Sequence, residues 1–350
     1  MTRIAASVAL AAALAGFMAP ATLQAQSFTV QKFDVGGEGF FDYLSVDTAR
    51  NRVFISRGSH IQVVDGTTGK AVGDIPNTPR THGALIVNAT NRGFTTNAGD
   101  STSTMFDLTT LAVIKQIHTG TSGLDGFMYD DAANKALTID HSRPNGTAVI
   151  LDAVTGDVVG QLTTTGAAPE GGVSNGAGRI FINLEDKAAM DVIDDHSWKV
   201  VGTWSVAPCE GPTGIAMDRA ANRIFVGCSN TSMVLDGGNG KVVAQLPNGA
   251  GVDGIAFDPT EKLLYIPSGA AGNVTIVHED TPDKYTTVAT VQTMRGARTI
   301  TVDSKTHTAY VFTPEFGPAP ANAPSTPAPG GRRFPPRGPQ IAAWLFAIKH

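Results

Sequence analysis

The residues best suited to chemistry recur at one equivalent position along the chain. Similar segments such as "THGALIVNATNRGFTTNA", "LDGFMYDDAANKALTIDH" and "PTGIAMDRAANRIFVGCS" align at intervals of 40 to 45 residues. One column of this alignment contains Asp42, His82, Asp125, Glu170, Thr213, Asp253 and Arg298. A repeated position that serves structure usually keeps one residue type, whereas this column varies in type and remains mostly charged. We interpret it as a candidate binding site, against the alternative of a charged, water-filled opening that only maintains solubility.

A divalent metal is the first chemistry that the column suggests. Carboxylate oxygens with one imidazole suit Ca²⁺, Mn²⁺ or Zn²⁺, and the ligand candidates are Asp42, His82, Asp125 and Glu170. The chain has no HxH or HExxH spacing that would support the idea. Metal binding is therefore one hypothesis beside a more general polar pocket.

Metal-free recognition of a small polar or cationic ligand, such as a sugar, an amine or a peptide end, is the second hypothesis. The carboxylates of the column would pair with positive groups, and Arg298 or Arg57 would bind an anionic part of the ligand. Asp140 and His141 follow a predicted strand that ends near the same opening, so we include them among the ligand-binding candidates.

Hydrolysis or elimination is the third hypothesis. Asp125 or His82 would act as the general base, and Arg298 would stabilise an oxyanion. The GxSxG pattern of a serine nucleophile is absent from the sequence. The chemistry would then be that of a metal-assisted, lactonase-like hydrolase or lyase at the same opening.

The elements that would position these residues are short strands joined by tight turns. Each repeat has an apolar strand ("GIAMD"), a turn ("RAANR") and a second apolar strand ("IFVGC"), followed by a third strand that ends in aspartate and a glycine-bearing turn. The asparagines at 51, 91, 134 and 222 suit turn positions with positive φ. The aspartates at 65, 152 and 236 are expected to accept hydrogen bonds from the backbone of their own turns.

Seven such units fill the chain after its first residues, which predicts an all-β, seven-bladed β-propeller of four-stranded antiparallel blades. The last unit lacks a fourth strand, and a spare strand, "SFTVQKFDV", lies at residues 27–35. We predict that this N-terminal strand pairs with the C-terminal one and closes the last blade. A proline-rich insertion at 317–340 is expected to form a loop beside the charged opening.

The repeat "GPTGIAMDRAANRIFVGC" resembles that of the YVTN-repeat β-propellers, which are secreted proteins of bacteria and archaea. The resemblance covers essentially all of residues 26–350, although "FISR", "FTTN", "FINL" and "FVGC" replace the usual end of the second strand. It implies a propeller fold and export. The family includes surface-layer components and binding proteins, so a scaffold role in contacts with other proteins is a further alternative.

The N-terminal segment has the layout of a signal peptide. A basic start and an alanine-rich apolar run precede a plausible cut near Ala25. We therefore expect residues 1–25 to be removed, and residues 26–350 to form one domain in the periplasm or outside the cell. No later segment predicts a membrane span. The net charge of −5 and the pI of about 5.9 argue against nucleic-acid binding, and we expect a monomer.

The two cysteines are predicted to form a disulfide. Cys209 lies just before the first strand of the fifth unit, and Cys228 ends the second strand of the same unit. Both positions fall on one face of one blade, and an exported protein folds in an oxidising compartment.

Overall fold

Seven four-stranded antiparallel sheets make up the fold of this computed structural model. It describes residues 27–321, 326–327, 333–334 and 337–350. The predicted signal peptide at 1–25 lies outside the described residues. The prediction of a seven-bladed, all-β propeller is confirmed.

The strands of each blade follow one another outward from the axis of the ring. The inner strands of blades 1 to 7 are Leu44–Asp47, Thr81–Val87, Leu124–Asp130, Pro169–Ser174, Gly214–Asp218, Ala256–Asp258 and Ile300–Asp303. The second strands are Arg52–Ser56, Arg92–Asn97, Lys135–Asp140, Arg179–Leu184, Arg223–Gly227, Leu263–Ser268 and Thr308–Phe316. The third strands are Ile61–Asp65, Thr102–Asp107, Thr147–Asp152, Ala189–Asp194, Ser232–Asp236, Asn273–Thr281 and Gln340–Lys349. The outer strands are Ala71–Ile75, Val113–His118, Val158–Thr163, Lys199–Ser205, Val242–Leu246, Lys284–Gln292 and, for blade 7, Thr29–Asp34.

Contacts between neighbouring blades close the ring and form the core. Every inner strand contacts the inner strands of the two adjacent blades, and blade 7 contacts blade 1 in the same way. Buried side chains pack between the faces of adjacent blades; Phe181 of blade 4, for example, clusters with Ile224 and Val226 of blade 5. Burial of one such side chain contributes about 1.5–3 kcal/mol, so each blade is stabilised by both of its neighbours.

The turns use the residues that the repeat predicted. Asn51, Asn91, Asn134 and Asn222 all have φ between 52° and 56°, the left-handed region in which asparagine is tolerated. Each lies in the turn that leads into a second strand, where it reverses the chain direction. The predicted positive φ at these positions is confirmed.

The aspartates that end the third strands hold the next turn. Asp65 Oδ1 accepts hydrogen bonds from the backbone N–H groups of Thr67 and Thr68, at 3.1 and 2.8 Å. Asp152 and Asp236 make equivalent bonds to the residues that follow them. These three carboxylates are therefore structural, as predicted, and take no part in the candidate site.

The N-terminal strand closes blade 7. Residues Thr29–Asp34 pair antiparallel with the C-terminal strand in a register that runs from Thr29 opposite Lys349 to Asp34 opposite Trp344. Phe33 packs against the cluster of buried residues between blades 7 and 1, and the Lys32 ammonium lies 3.6 Å from the centre of the Trp344 ring. The predicted pairing of the two chain ends is confirmed.

The disulfide between Cys209 and Cys228 is confirmed as well. Their Cα atoms are 5.5 Å apart, and both residues are buried in the cluster between blades 4 and 5. The bond joins the loop that enters the inner strand of blade 5 to the end of its second strand.

The proline-rich segment joins the second and third strands of blade 7. In its described part, Thr326–Pro327 pairs with Arg333–Phe334, and Gly317 N–H donates a hydrogen bond to the Pro339 carbonyl. Among the described residues, no helix has the length and hydropathy of a membrane span.

Deletion of residues 27–35 tests the closure of the ring. The deletion removes a complete outer strand and the Phe33 contact, so we expect the melting temperature to fall by at least about 5 °C in a thermal unfolding experiment. Val30→Ala is the control, because Val30 is 37% exposed on the same strand and its truncation should leave the melting temperature nearly unchanged. An unchanged melting temperature after the deletion would show that the strand does not stabilise the ring.

Replacement of both cysteines by alanine tests the contribution of the disulfide. The bond closes a loop with a sequence separation of 19 residues, and its loss should lower the free energy of unfolding by about 3 kcal/mol. Urea unfolding of the double variant and the oxidised protein measures the difference. Equal free energies of unfolding would contradict the expectation.

Candidate functional site

The residues of the predicted column lie where the inner strands begin, on the side of the ring that we call the upper face. His82, Asp125 and Glu170 are the second residues of their inner strands. In each of these strands the register with the second strand shifts across the column residue and the glycine that follows it. Such bulges bend a strand and redirect its side chains, which brings the three residues toward one another.

Small residues allow the inner strands to approach closely at this level. Glycine follows the column residue in five blades, at Gly83, Gly126, Gly171, Gly214 and Gly254. A Cβ at Gly126 would lie 2.4 Å from the Glu170 carbonyl oxygen, and one at Gly214 would lie 2.8 Å from backbone atoms of the next blade. Larger residues would force the strands apart, so the glycines determine how near the charged side chains come.

His82 lies between two carboxylates. Its Nδ1 is 2.7 Å from Asp42 Oδ2 and 3.2 Å from Asp125 Oδ1. These three residues come from blades 1, 2 and 3, so the contact joins consecutive blades across the upper face. All three side chains are mostly shielded from solvent.

His141 extends the cluster to blade 4. Its Nε2 is 3.1 Å from Glu170 Oε1, and its Nδ1 is 3.8 Å from Asp125 Oδ2. The Tyr43 hydroxyl donates a 2.8 Å hydrogen bond to the other oxygen of Glu170. Asp125 therefore faces one histidine with each of its oxygens.

Arg298 contacts Asp253, the remaining carboxylate of the column, and also the second oxygen of Asp42. Its Nε donates to Asp253 Oδ2 at 2.5 Å, and its Nη2 donates to Asp42 Oδ1 at 3.0 Å. The guanidinium also lies 4.7 Å from the centre of the Phe41 ring. Thr213, the uncharged member of the column, donates instead to the Val252 carbonyl.

The carboxylates raise the affinity of both histidines for protons. Burial alone would lower the pKa of His82, but the contacts with Asp125 and Asp42 outweigh it and raise this pKa to about 10. Burial likewise acts to lower the pKa of His141, and Glu170 and Asp125 raise it to about 9. Both imidazoles are therefore in the positively charged, doubly protonated form at neutral pH when no other cation is present.

Crowding of negative charge affects the carboxyl groups. Burial, assisted by Asp125 and only partly offset by His141, raises the pKa of Glu170 to about 8. Burial also raises the pKa of Asp253 to about 6, against the lowering effect of Arg298. Burial and Glu170 raise the pKa of the Tyr43 hydroxyl well above its usual value, so it stays protonated and remains a donor.

Two buried atoms in this cluster lack hydrogen-bond partners among the described residues: Asp125 Oδ1 and His141 Nε2. His82 and Glu170 lie near them, but the direction of each contact is unsuitable for a hydrogen bond. Unsatisfied buried polar atoms cost free energy unless a further group binds them.

Two triads in the cluster could each hold a metal ion. Within each triad, one nitrogen or oxygen atom of every residue lies within 4.8 Å of the others: Asp42, His82 and Asp125 in the first, and Asp125, His141 and Glu170 in the second. Asp125 belongs to both. The metal set predicted from the sequence therefore lies together, and His141 adds a second imidazole to it.

Two predicted site residues are not among the converging side chains. Asp140 is fully buried, and its oxygens accept hydrogen bonds from Gly123 N–H and the Ser142 hydroxyl, so it stabilises the loop that carries His141. Arg57 is 1% exposed and donates to the carbonyl groups of Gly36 and Gly37. The repeat alignment placed both residues at the correct end of their strands. It could not reveal that both side chains form hydrogen bonds with nearby backbone groups.

Tyr43 is a member of the cluster that the repeat alignment did not identify. It occupies the position that glycine takes in five other blades, and its ring packs against Phe127 with the centroids 5.8 Å apart. This exception to the glycine pattern, directly after Asp42, was the available signal in the sequence.

Comparisons with known proteins identify the fold. No family model matches the chain, and no curated protein matches it by sequence. Among solved structures, hydrazine synthase of Kuenenia stuttgartiensis superposes with a TM-score of 0.67 at 17% identity, over 77% of this chain and 91% of that one. A chain of the mitotic checkpoint complex superposes with a TM-score of 0.70 at 12% identity, over 89% of this chain and 95% of that one. At these identities the similarity shows a shared fold alone, and the protein is a seven-bladed β-propeller.

Proposed function

We propose that the cluster on the upper face binds divalent metal ions, which form part of a binding site for a small polar ligand. The observation that carries the proposal is the position of His82 Nδ1, 2.7 Å from Asp42 Oδ2 and 3.2 Å from Asp125 Oδ1. One proton on Nδ1 can make a well-directed hydrogen bond to only one of these oxygens. A dication bound to the neutral imidazole can interact with both carboxylates at once.

The charges of the cluster support the same conclusion. Asp42, Asp125, Glu170 and Asp253 face a single guanidinium, that of Arg298, which contacts Asp42 and Asp253. Among the described residues, the side chains in contact with the other two carboxylates are those of the histidines and Tyr43. Without the protons on His82, His141 and Glu170, these close, shielded carboxylates would repel each other strongly, and a bound dication can take the place of those protons.

The composition of the triads indicates which metal would bind. Each triad offers two carboxylates and one imidazole. Imidazole nitrogen suits transition metals, whereas Ca²⁺ is usually surrounded by six to eight oxygen atoms. Mn²⁺ and Zn²⁺ are therefore the ions that these ligands favour, and any remaining coordination positions would be open to water or to a ligand.

Metal-assisted hydrolysis is a second candidate function, favoured by the position of Asp125 in both triads. In hydrolytic centres with two metals, the ions lie about 3.5–4 Å apart and stabilise an attacking and a leaving oxygen. A shared carboxylate is suited to hold two ions near one another. Arg298, at the edge of the cluster, would bind an anionic part of the substrate.

Titration of chelator-treated protein with Mn²⁺ or Zn²⁺ tests the proposal. Isothermal calorimetry should detect binding to the intact protein. Asp125→Asn, which alters both triads, should weaken it by at least about 100-fold, because even changes in residues that merely orient metal ligands cost about 10–100-fold.

His307→Ala is the matched control for that experiment. His307 also contacts a buried carboxylate, Asp258, at 2.7 Å, but this pair does not belong to either triad. Its replacement should leave metal affinity unchanged. Equal affinities of the intact protein and Asp125→Asn, or no binding to either, would refute the proposal.

Proton release on metal binding provides an independent readout. With pKa values of about 10 and 9, His82 and His141 are protonated at pH 7, whereas a metal binds the neutral imidazole. Each histidine that binds an ion should therefore release about one proton, and affinity should rise as pH increases from 7 toward 9. Calorimetry in buffers with different ionisation enthalpies measures the release, and an observed enthalpy independent of buffer would contradict the assignment of the histidines as ligands.

A further inference from the structure

A cavity of about 910 Å³ opens on the upper face beside the metal-binding cluster, between the loop that enters blade 1 and the end of the proline-rich segment. Its volume falls in the range of about 300–1,000 Å³ that is usual for small-molecule sites. Arg298 lines the cavity on one side and contacts Asp42 of the cluster on the other. The cavity is thus adjacent to the cluster and has its own walls.

Aromatic residues form the apolar part of these walls. Phe40 and Phe41 come from the loop before blade 1, and Pro314 and Phe316 come from the end of the second strand of blade 7. Phe40 is 56% exposed, an unusual exposure for a large apolar ring. A flat aromatic or branched apolar group is the kind of ligand that such walls bind well.

Guanidinium groups in the cavity wall can donate hydrogen bonds to an anion. Two guanidinium groups, those of Arg298 and Arg337, line it together with one carboxylate, that of Glu38. Arg337 lies 5.0 Å from the centre of the Phe316 ring, so a positive charge and an aromatic face are next to each other. Among the described residues, Arg298 uses Nε and Nη2 for its hydrogen bonds, which leaves Nη1 available to a ligand.

Hydrogen bonds hold in place the loop before blade 1, which carries Phe40 and Phe41. Arg57 donates to the Gly36 carbonyl at 2.9 Å, to the Gly37 carbonyl at 2.5 Å and to Gln62 Oε1 at 2.7 Å. Gln340, at the start of the C-terminal strand, also donates to the Gly37 carbonyl at 2.5 Å. The two walls are therefore joined before any ligand arrives, which lowers the entropy cost of binding.

We propose that this cavity binds an organic anion with an apolar, aromatic or branched group, with its carboxylate at Arg298 and Arg337 and its apolar group against Phe40, Phe41 and Phe316. This binding goes beyond the proposed metal site and does not require it, because no residue of either triad lines the cavity. Arg57 is a positioning residue for the loop.

Calorimetry with naphthalene carboxylate and its neutral carboxamide, in the presence of a chelator, tests this proposal. The two probes share the same apolar group, so a difference between them reports the contribution of the charge. We expect the carboxylate to bind at least about tenfold more tightly than the carboxamide, because charge-assisted hydrogen bonds are the stronger kind. Since the chelator removes metal, failure of the metal proposal would not affect this result.

Three variants locate the binding. Phe316→Ala and Arg337→Gln should each weaken the binding of naphthalene carboxylate by at least about fivefold. Glu38→Gln should strengthen this binding, because it removes a negative charge that repels the probe. Arg295→Gln is the matched control, since Arg295 lies three residues before Arg298 in the same loop but does not line the cavity. Circular dichroism confirms that each variant is folded.

Equal binding of carboxylate and carboxamide, absence of binding by both, or unchanged affinity in Phe316→Ala and Arg337→Gln would each overturn the proposal. Loss of affinity in Arg295→Gln equal to that in Arg337→Gln would overturn it too, because the effect would then come from the net charge of the upper face.

Discussion

A four-stranded blade has two apolar faces, and it cannot bury either face by itself. In this protein neighbouring blades bury these faces, and the inner strands therefore meet around one axis. This requirement brings Asp42, His82, Asp125 and Glu170 within one cluster, although each comes from a different blade. The candidate site is a product of ring closure, since none of the blades contains more than a part of it.

Glycine residues at the level of the cluster allow its charged side chains to lie close together. With Gly83, Gly126 and Gly171 next to His82, Asp125 and Glu170, the inner strands approach closely and the charged side chains face one another at 3.1–3.2 Å. The nearby carboxylates raise the pKa of both histidines, and burial together with Asp125 raises the pKa of Glu170. Protons on these groups offset the negative charge of the cluster, and in the proposed function a metal ion would replace them.

Features that recur in several blades, and a departure from the repeat such as the missing strand of blade 7, could be predicted from the sequence, because the other copies show what to expect. The turn asparagines, the turn aspartates and the missing strand of blade 7 all follow from the alignment. Features that occur once could not be predicted in this way. Asp140 and Arg57 bind nearby backbone groups, and Tyr43 reaches Glu170 across 127 positions of sequence. Such contacts depend on distances between blades, which periodicity does not encode.

The pairing of Thr29 with Lys349 has a consequence for the order of folding. Contacts between residues far apart in sequence carry the largest loop-closure entropy, and they form late. Blades 1 to 6 are each continuous in sequence, whereas blade 7 requires both ends of the chain. Until strand Gln340–Lys349 has been synthesised, the ring is open and strand Thr29–Asp34 lacks the partner that it has in the folded protein. If two full-length chains with open rings are concentrated, strand Thr29–Asp34 of one can pair with strand Gln340–Lys349 of the other, and the product is a domain-swapped dimer.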